Sequence, residues 1–458
     1  MRKKAFLVCL TIMLYLGFFS PLFAWDSKVK AIVALVIIQI LWIGKVFPLA
    51  FSSLLLMLLL SFHFFSYEDT LSYFSSGIVW LLFSTYIISK AFIDTGLASR
   101  ISLMMLKLSR GRGSILIFIS FILMFILSAL IPSNVGKGSL VSSVLDSLIV
   151  SLKKINNVDN LAKSLFIGVA YLASISGVFV ATGASSTIYT FGMFSEFNNE
   201  LNYLSWILIF GIPILVFIVI QWLIFLLCFP PETIDKKMLM ELLEIKINDL
   251  GKMSMREKKV LGVIGLTLLL WMTQHIHGYS IPQIGLLGAC LTVFPVVGVW
   301  KWEQAKKSVD WDMILFFAST LMVSGMLLKT GTVDWMAAWL NDMLKFQSPF
   351  LIVTILVICT VVLRIFFVNI LGFLTIMLPL AITIGQTMPG VSPLFVAMPV
   401  FLAGVPGFFL ITQSPVHLIS YSYGYFSEKD LLRVGIFAAF SWILIILLSA
   451  SYYWQHII

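Results

Sequence analysis

Apolar stretches close to the length that crosses a bilayer recur along this whole sequence. They cover 6–24, 30–44, 47–65, 76–93, 114–131, 163–185, 203–229, 259–274, 283–299, 312–328, 349–368, 371–386, 393–411 and 434–454. A hydrocarbon core takes roughly 20 helical residues. Lipid offers backbone N–H and C=O groups no partner, so only helices or closed barrels cross it. With 60% hydrophobic and 11% charged residues, and a mean hydropathy of +1.04, the runs predict an all-α polytopic membrane protein. The bilayer is therefore its first partner. The net charge of +9 reads as the excess of Lys and Arg on cytoplasmic loops, and no nucleic-acid partner is expected. Cys9, Cys228, Cys290 and Cys359 stand singly in apolar runs, a pattern that predicts neither a disulfide framework nor a metal site. His275 and His277 form a loop pair with no Cys or carboxylate close by, which favours a structural role over zinc.

One run is interrupted where it should still be in lipid. SILIFISFILMFILSAL is followed by IPSNVGKGSL, residues 131–140. Proline, asparagine, two glycines and a lysine at that depth are tolerated only where protein or water satisfies the irregular backbone. Charge placement gives the path. Arg2, Lys3 and Lys4 hold the start inside, whether the first 24 residues are a cleaved signal or, as favoured here, an uncleaved helix. Tyr67-Glu68-Asp69 then falls outside, and Lys107, Arg110 and Arg112 are cytoplasmic. A re-entrant hairpin turning at Pro132–Gly138 keeps Lys153, Lys154 and Lys163 on the same side. The polar stretch 230–258 reads as an amphipathic cytoplasmic linker between two halves.

The halves resemble each other. FIDTGLASRI (92–101) echoes LLKTGTVDWM (327–336), and the pairs Gly96/Gly331 and Asn134/Asn369 are each 235 positions apart. The first loop faces the cytoplasm and the second faces out, so the repeat is inverted. The run 349–386, broken at Asn369, becomes a second hairpin entering from outside. The expected plan has about 11 transmembrane helices plus two opposed re-entrant hairpins. Its segments are N-terminal scaffold helices 1–112, first hairpin and following helices 113–229, linker 230–258, scaffold helices 259–347, and second hairpin with its following helices 348–458.

Opposed hairpins with polar tips present helix N-termini to an anion and free carbonyls to a cation. Ser133 supplies a hydroxyl, Asn134 a donor and an acceptor, and Gly136 and Gly138 close backbone approach. Lys137 adds a full charge, costly in the bilayer unless paired or wet, and is read as a ligand or ion-pair group, with snorkelling as the plainer alternative. Asp146 is open between pairing with a cation and facing water. Arg364 is open between a buried structural pair and substrate contact. Each half carries a further break, at Thr182-Gly183 and at Thr412, Ser414 and Pro415, where hydroxyls and freed backbone suit an oxyanion. No HExxH, GxSxG, Walker or haem motif occurs, so transport is favoured over a membrane enzyme or sensor.

At these residues the chain resembles the divalent anion/sodium symporter family of the ion transporter superfamily. The family's Ser-Asn-Thr tips are matched by Ser133-Asn134-Val135 and, less closely, by Val368-Asn369-Ile370. IPSNVGKGSL is nearest to the form in the 2-oxoglutarate/malate and citrate/succinate exchanger branch, where Lys137 falls on that branch's arginine. GVAYLASISG (168–177) and SPVHLISYSYGYFSEKDLLRVG (414–435) match the family's post-hairpin helices, and the likeness runs from about residue 30 to the end. The sequence departs at Val135, Val368 and Ile370 or Leu371, which replace hydroxyl residues. Phe179-Val180-Ala181 stands where sodium-coupled members have Gly-Thr-Pro.

The resemblance implies a homodimeric, multi-pass carrier of the bacterial inner membrane that moves small di- or tricarboxylates by an elevator mechanism. Exchange is expected over sodium-coupled symport of dicarboxylate or sulfate. No cofactor is expected, sodium being the coupling ion to weigh. Substrate contacts are expected from Ser133, Asn134, Lys137, Thr182, Asn369, Thr412, Ser414 and Pro415. Ion binding or charge compensation is expected from Ser133, Asn134, Gly138, Asn369 and Arg364.

Overall fold

Capping residues, prolines and glycines set where the apolar runs start and stop as helices. In the computed structural model the described residues are 2–456, apart from 22–23, 45, 199, 345–347 and 389. Among them every regular element is helical. Ser254 with Glu257, Ser280 with Gln283 and Ser427 with Asp430 form reciprocal caps on Met255–Met272, Ile281–Val293 and Glu428–Leu448. Each cap satisfies amides that the first turn leaves without intrahelical partners. Five helices are long and apolar enough to cross a bilayer by themselves: Gly77–Asp94, Asn134–Lys153, Tyr203–Cys228, Trp311–Lys329 and Glu428–Tyr453. The shorter apolar helices include the entering arm of the first hairpin, Gly113–Ser128, and both arms of the second.

The repeat is visible in backbone geometry. Gly96 and Gly331 both adopt a left-handed conformation, φ +85° and +65°, which glycine reaches without steric cost. Each ends a crossing helix and turns the chain into an amphipathic one, Leu97–Lys107 or Thr332–Leu344. A hairpin follows each. The first is Gly113–Ser128 and Asn134–Lys153, the second Pro349–Arg364 and Ile370–Gln386.

The segment after each hairpin is broken earlier than its apolar run suggests. Asp159–Ser176 stops at Gly177, and the chain resumes as Ser185–Ser195. Pro393–Gly404 stops before Pro406, which has no N–H to continue a helix, and resumes as Pro415–Ser422 after a short 3₁₀ turn. Both broken segments are tied down by buried indoles. Trp206 donates to the Val178 carbonyl at 2.8 Å and Trp442 to the Leu402 carbonyl at 2.9 Å.

The linker 230–258 contains the helix Lys236–Asp249. Lys107 pairs with its Glu244 at 2.9 Å, and its Lys246 reaches Ser147. Arg100 pairs with Glu257 at 2.6 Å and also donates to the Leu250 and Gly251 carbonyls. The linker thus joins Leu97–Lys107 to the returning arm of the first hairpin.

Candidate functional site

Four helices begin at one place. Asn134–Lys153, Ser185–Ser195, Ile370–Gln386 and Pro415–Ser422 have as N-caps Ser133, Ala184, Asn369 and Ser414. All four caps line a single cavity of about 610 Å³, within the range usual for small-molecule sites. Two of the helices come from the hairpins and two from the segments after the breaks. Ser133 accepts from the Gly136 amide at 3.1 Å, Asn369 from Gly372 at 3.2 Å and Ser414 from Val416 at 3.3 Å. Other first-turn amides have no intrahelical partner. Each N-terminus carries roughly half a positive charge, an arrangement suited to an anion.

Of the residues expected to touch substrate, Ser133, Asn134, Asn369, Ser414 and Pro415 are on the lining. Lys137, Thr182 and Thr412 are not. Lys137 is fully buried behind the first tip, its Nζ 3.3 Å from the Gly183 carbonyl, with no carboxylate partner among the described residues. One helical turn separates it from Ser133, and its side chain runs back to the first break. Thr182 is buried on the break itself, 3.3 Å from the Tyr203 hydroxyl. The chain turns again before the next helix starts, so Ala184, Ser185 and Ser186 take the lining instead. Thr412 is exposed in the 3₁₀ turn Ile411–Gln413.

Arg364 is a buried clamp. It donates to the Gly404 carbonyl at 2.9 Å, to the Gln413 carbonyl at 3.2 Å and to the Phe367 carbonyl. It therefore ties the second tip to the second break. Asp146 accepts from the Tyr425 hydroxyl at 2.6 Å, which joins the first hairpin to the segment after the second break. Gly138 works by close approach, since a Cβ there would lie 2.5 Å from Val416. That contact packs Asn134–Lys153 against Pro415–Ser422.

The opposite wall comes from the scaffold helices, and the sequence reading missed it. Gln39, Trp42, Ser52, Tyr86, Asp310 and Met313 line it. Gln39 Nε2, Trp42 Nε1 and Ser52 Oγ are buried there with no protein partner, donors of a kind usually satisfied by water or ligand. Trp42 also reaches the second tip, 3.8 Å from where a Cβ on Gly372 would lie. Asp310 is the single charged side chain on the described lining. A lone glutamine at 39 inside an apolar run was the one available signal.

Judged as a sodium cage, the oxygens around the tips are largely spoken for. The Gly177 carbonyl accepts from Thr187 at 2.8 Å and Gly183 faces Lys137, while Arg364 holds three carbonyls of the second half. Asn134 Oδ1 is buried without a partner.

Known proteins agree with this architecture. The chain is similar to an L-tartrate/succinate antiporter of Shigella sonnei, 24% identical over 82% of this chain and 77% of that protein. It is 25% identical to a citrate/succinate antiporter of Escherichia coli K12, over 79% and 75%. It is 26% identical to a membrane protein of Cupriavidus necator, over 83% and 75%. The crystal structure of the Alcanivorax borkumensis YdaH transporter, described as having an unusual topology, shares the fold with a TM-score of 0.53 at 10% identity, covering 83% of this chain and 85% of that one. Residues 2–458 match the sodium:sulfate symporter transmembrane region, and this multi-pass membrane protein belongs to that family of transporters.

Proposed function

We propose that this protein exchanges small dicarboxylates across the bacterial inner membrane. The observation that carries the reading is the convergence of four helix N-termini on one cavity. Together they supply a charge of about +2, matched to a dianion. A third carboxylate would exceed it and would meet Asp310 at the edge of the site. Val135, Val368, Ile370 and Leu371 supply an apolar surface for the substrate's methylenes. Of the antiporters to which the chain is similar, one is named for L-tartrate and succinate, both dicarboxylates, and one for succinate and the tricarboxylate citrate. Succinate is common to both, and the helix-end charge favours the dianion.

Exchange is favoured over sodium-coupled uptake because side-chain cations already occupy the carbonyls of the broken segments. Lys137 and Arg364 donate to those carbonyls, the place a bound cation would otherwise take. The orphan Asn134 Oδ1 is the observation on the side of symport. The activity is transport, with no bond made or broken in the cargo.

The cavity lies on a seam. One wall is made by the hairpins and the segments after the breaks, the other by scaffold helices. An elevator mechanism follows naturally, with the first wall sliding past the second. The cavity extends to Phe47–Leu49 and to Asp310, both cytoplasmic by the Lys/Arg bias, so this conformation is inward-open. The scaffold is the surface through which we expect two copies to pair.

Counterflow in proteoliposomes tests the reading. Proteoliposomes preloaded with succinate should take up labelled succinate without sodium on either side. Uptake that requires a sodium gradient even with preloading would replace exchange by symport. Absence of flux for every dicarboxylate would remove the function.

A further inference from the structure

A second crevice, of about 290 Å³, shares no lining residue with the tip cavity. It lies where Gly77–Asp94 ends, where Met255–Met272 begins and where the loop 299–308 leads into Trp311–Lys329. All three are helix ends at one membrane boundary. Lys90, Arg256 and Lys307 come to it from these three segments. Its one carboxylate, Asp94, is held by Lys90 at 2.8 Å, with both side chains about half exposed. Arg256 and Lys307 have no carboxylate partner among the described residues. The crevice therefore presents two uncompensated positive charges.

Aromatic side chains mark its depth. Trp300 lines it and donates to Thr292 at 3.1 Å, while Trp302 and Trp311, on the segment that supplies Lys307, are exposed. Tryptophans of this kind mark the headgroup level of a bilayer. A basic pocket between helices at that level matches the charge and position of a phospholipid headgroup.

We propose that this crevice binds a phosphate group, supplied by an anionic phospholipid. Arg256 offers a planar fork to two phosphate oxygens, and Lys307 a compact charge to a third. Lys90 remains with Asp94 at the rim. At this membrane level each cation adds about fivefold to the affinity for an anionic lipid.

The test uses the full chain purified from the membrane. In native mass spectrometry, phosphatidylglycerol should be retained in preference to phosphatidylcholine. The double variant Arg256→Gln/Lys307→Gln should reduce that retention about tenfold or more. Asp94→Asn should raise it, because it frees Lys90, and this opposite sign cannot arise from misfolding. Glycerol 3-phosphate and inorganic phosphate form the second arm. Stabilisation of the parent chain but not of the double variant by these, without lipid selectivity, would keep the phosphate site and assign it a soluble source. Retention of phosphatidylglycerol equal in all three chains, with no response to either soluble phosphate, overturns the proposal.

Discussion

The two halves of the site solve the same electrostatic problem with unequal hardware. Each breaks a membrane segment and leaves carbonyls in the interior, and each brings a buried cation to them. In the second half Arg364 precedes the tip and makes three hydrogen bonds to carbonyls. In the first half Lys137 follows the tip and makes a single long contact of 3.3 Å. Arg364 is a fastener whose donors are largely used. Lys137 is held loosely one turn behind the tip cavity by a single carbonyl, and under the proposed function its field would act on the bound anion. Cations at different positions of the two repeats thus meet similar breaks and carry different duties.

The largest effect expected from this contrast is on folding. Arg364→Leu would leave two buried carbonyls, of Gly404 and Gln413, without this donor, each costing about 1–3 kcal/mol, and would free the partly buried Phe367 carbonyl as well. Folded yield in detergent should collapse, and Arg364→Lys should restore only part of it. A folded Arg364→Leu protein that merely binds dicarboxylate more weakly would erase the distinction between the two cations.

Lys137→Met tests the other side. Removing a buried, unpaired ammonium relieves its desolvation cost, which offsets the loss of the one long bond to the Gly183 carbonyl. Thermal stability of the ligand-free protein should therefore change little, while dicarboxylate affinity falls about tenfold or more through loss of a nearby charge. Equal losses of stability and binding would make Lys137 a fastener too.

A smaller effect is expected at the caps. Ser133→Ala and Asn369→Ala each remove a bond to an amide at a helix start, typically worth about 1 kcal/mol. Ligand-induced stabilisation by succinate should shrink in both, because each tip also loses a lining polar group. A change confined to the unliganded melting temperature would mark these residues as caps alone.

Legibility followed chemistry. Helix breakers inside apolar runs are expensive and conspicuous, so Ser133-Asn134, Asn369 and Ser414-Pro415 could be found before the fold. The path of the irregular backbone could not be read. Thr182 and Ser185 are three positions apart, and only the turn at Gly183 decides which reaches the cavity. The scaffold wall was hidden for another reason. Gln39, Trp42, Ser52 and Tyr86 are single polar or amphipathic side chains in apolar helices, and such residues usually serve packing. Their meeting with the tips depends on tertiary placement of separate halves. The direction of Lys137, back toward Gly183 and not forward to the cavity, is likewise set by packing.

The finest distinction concerns the charge of the cargo. Asp310 caps Trp311–Lys329 by accepting from the Met313 amide at 3.0 Å, and asparagine performs the same capping task. Asp310→Asn therefore removes one negative charge from the cavity wall with little change in the helix. A dianion and a trianion differ by one charge. Across roughly 8 Å of partly aqueous space, that difference corresponds to about two- to fivefold in relative affinity. Competition against labelled succinate should show tricarballylate gaining by that factor over succinate in Asp310→Asn, and the gain should fade as salt is raised. An unchanged ratio at low salt would mean that discrimination rests entirely with the hairpin tips, and the scaffold wall would then contribute shape and donors without selecting charge.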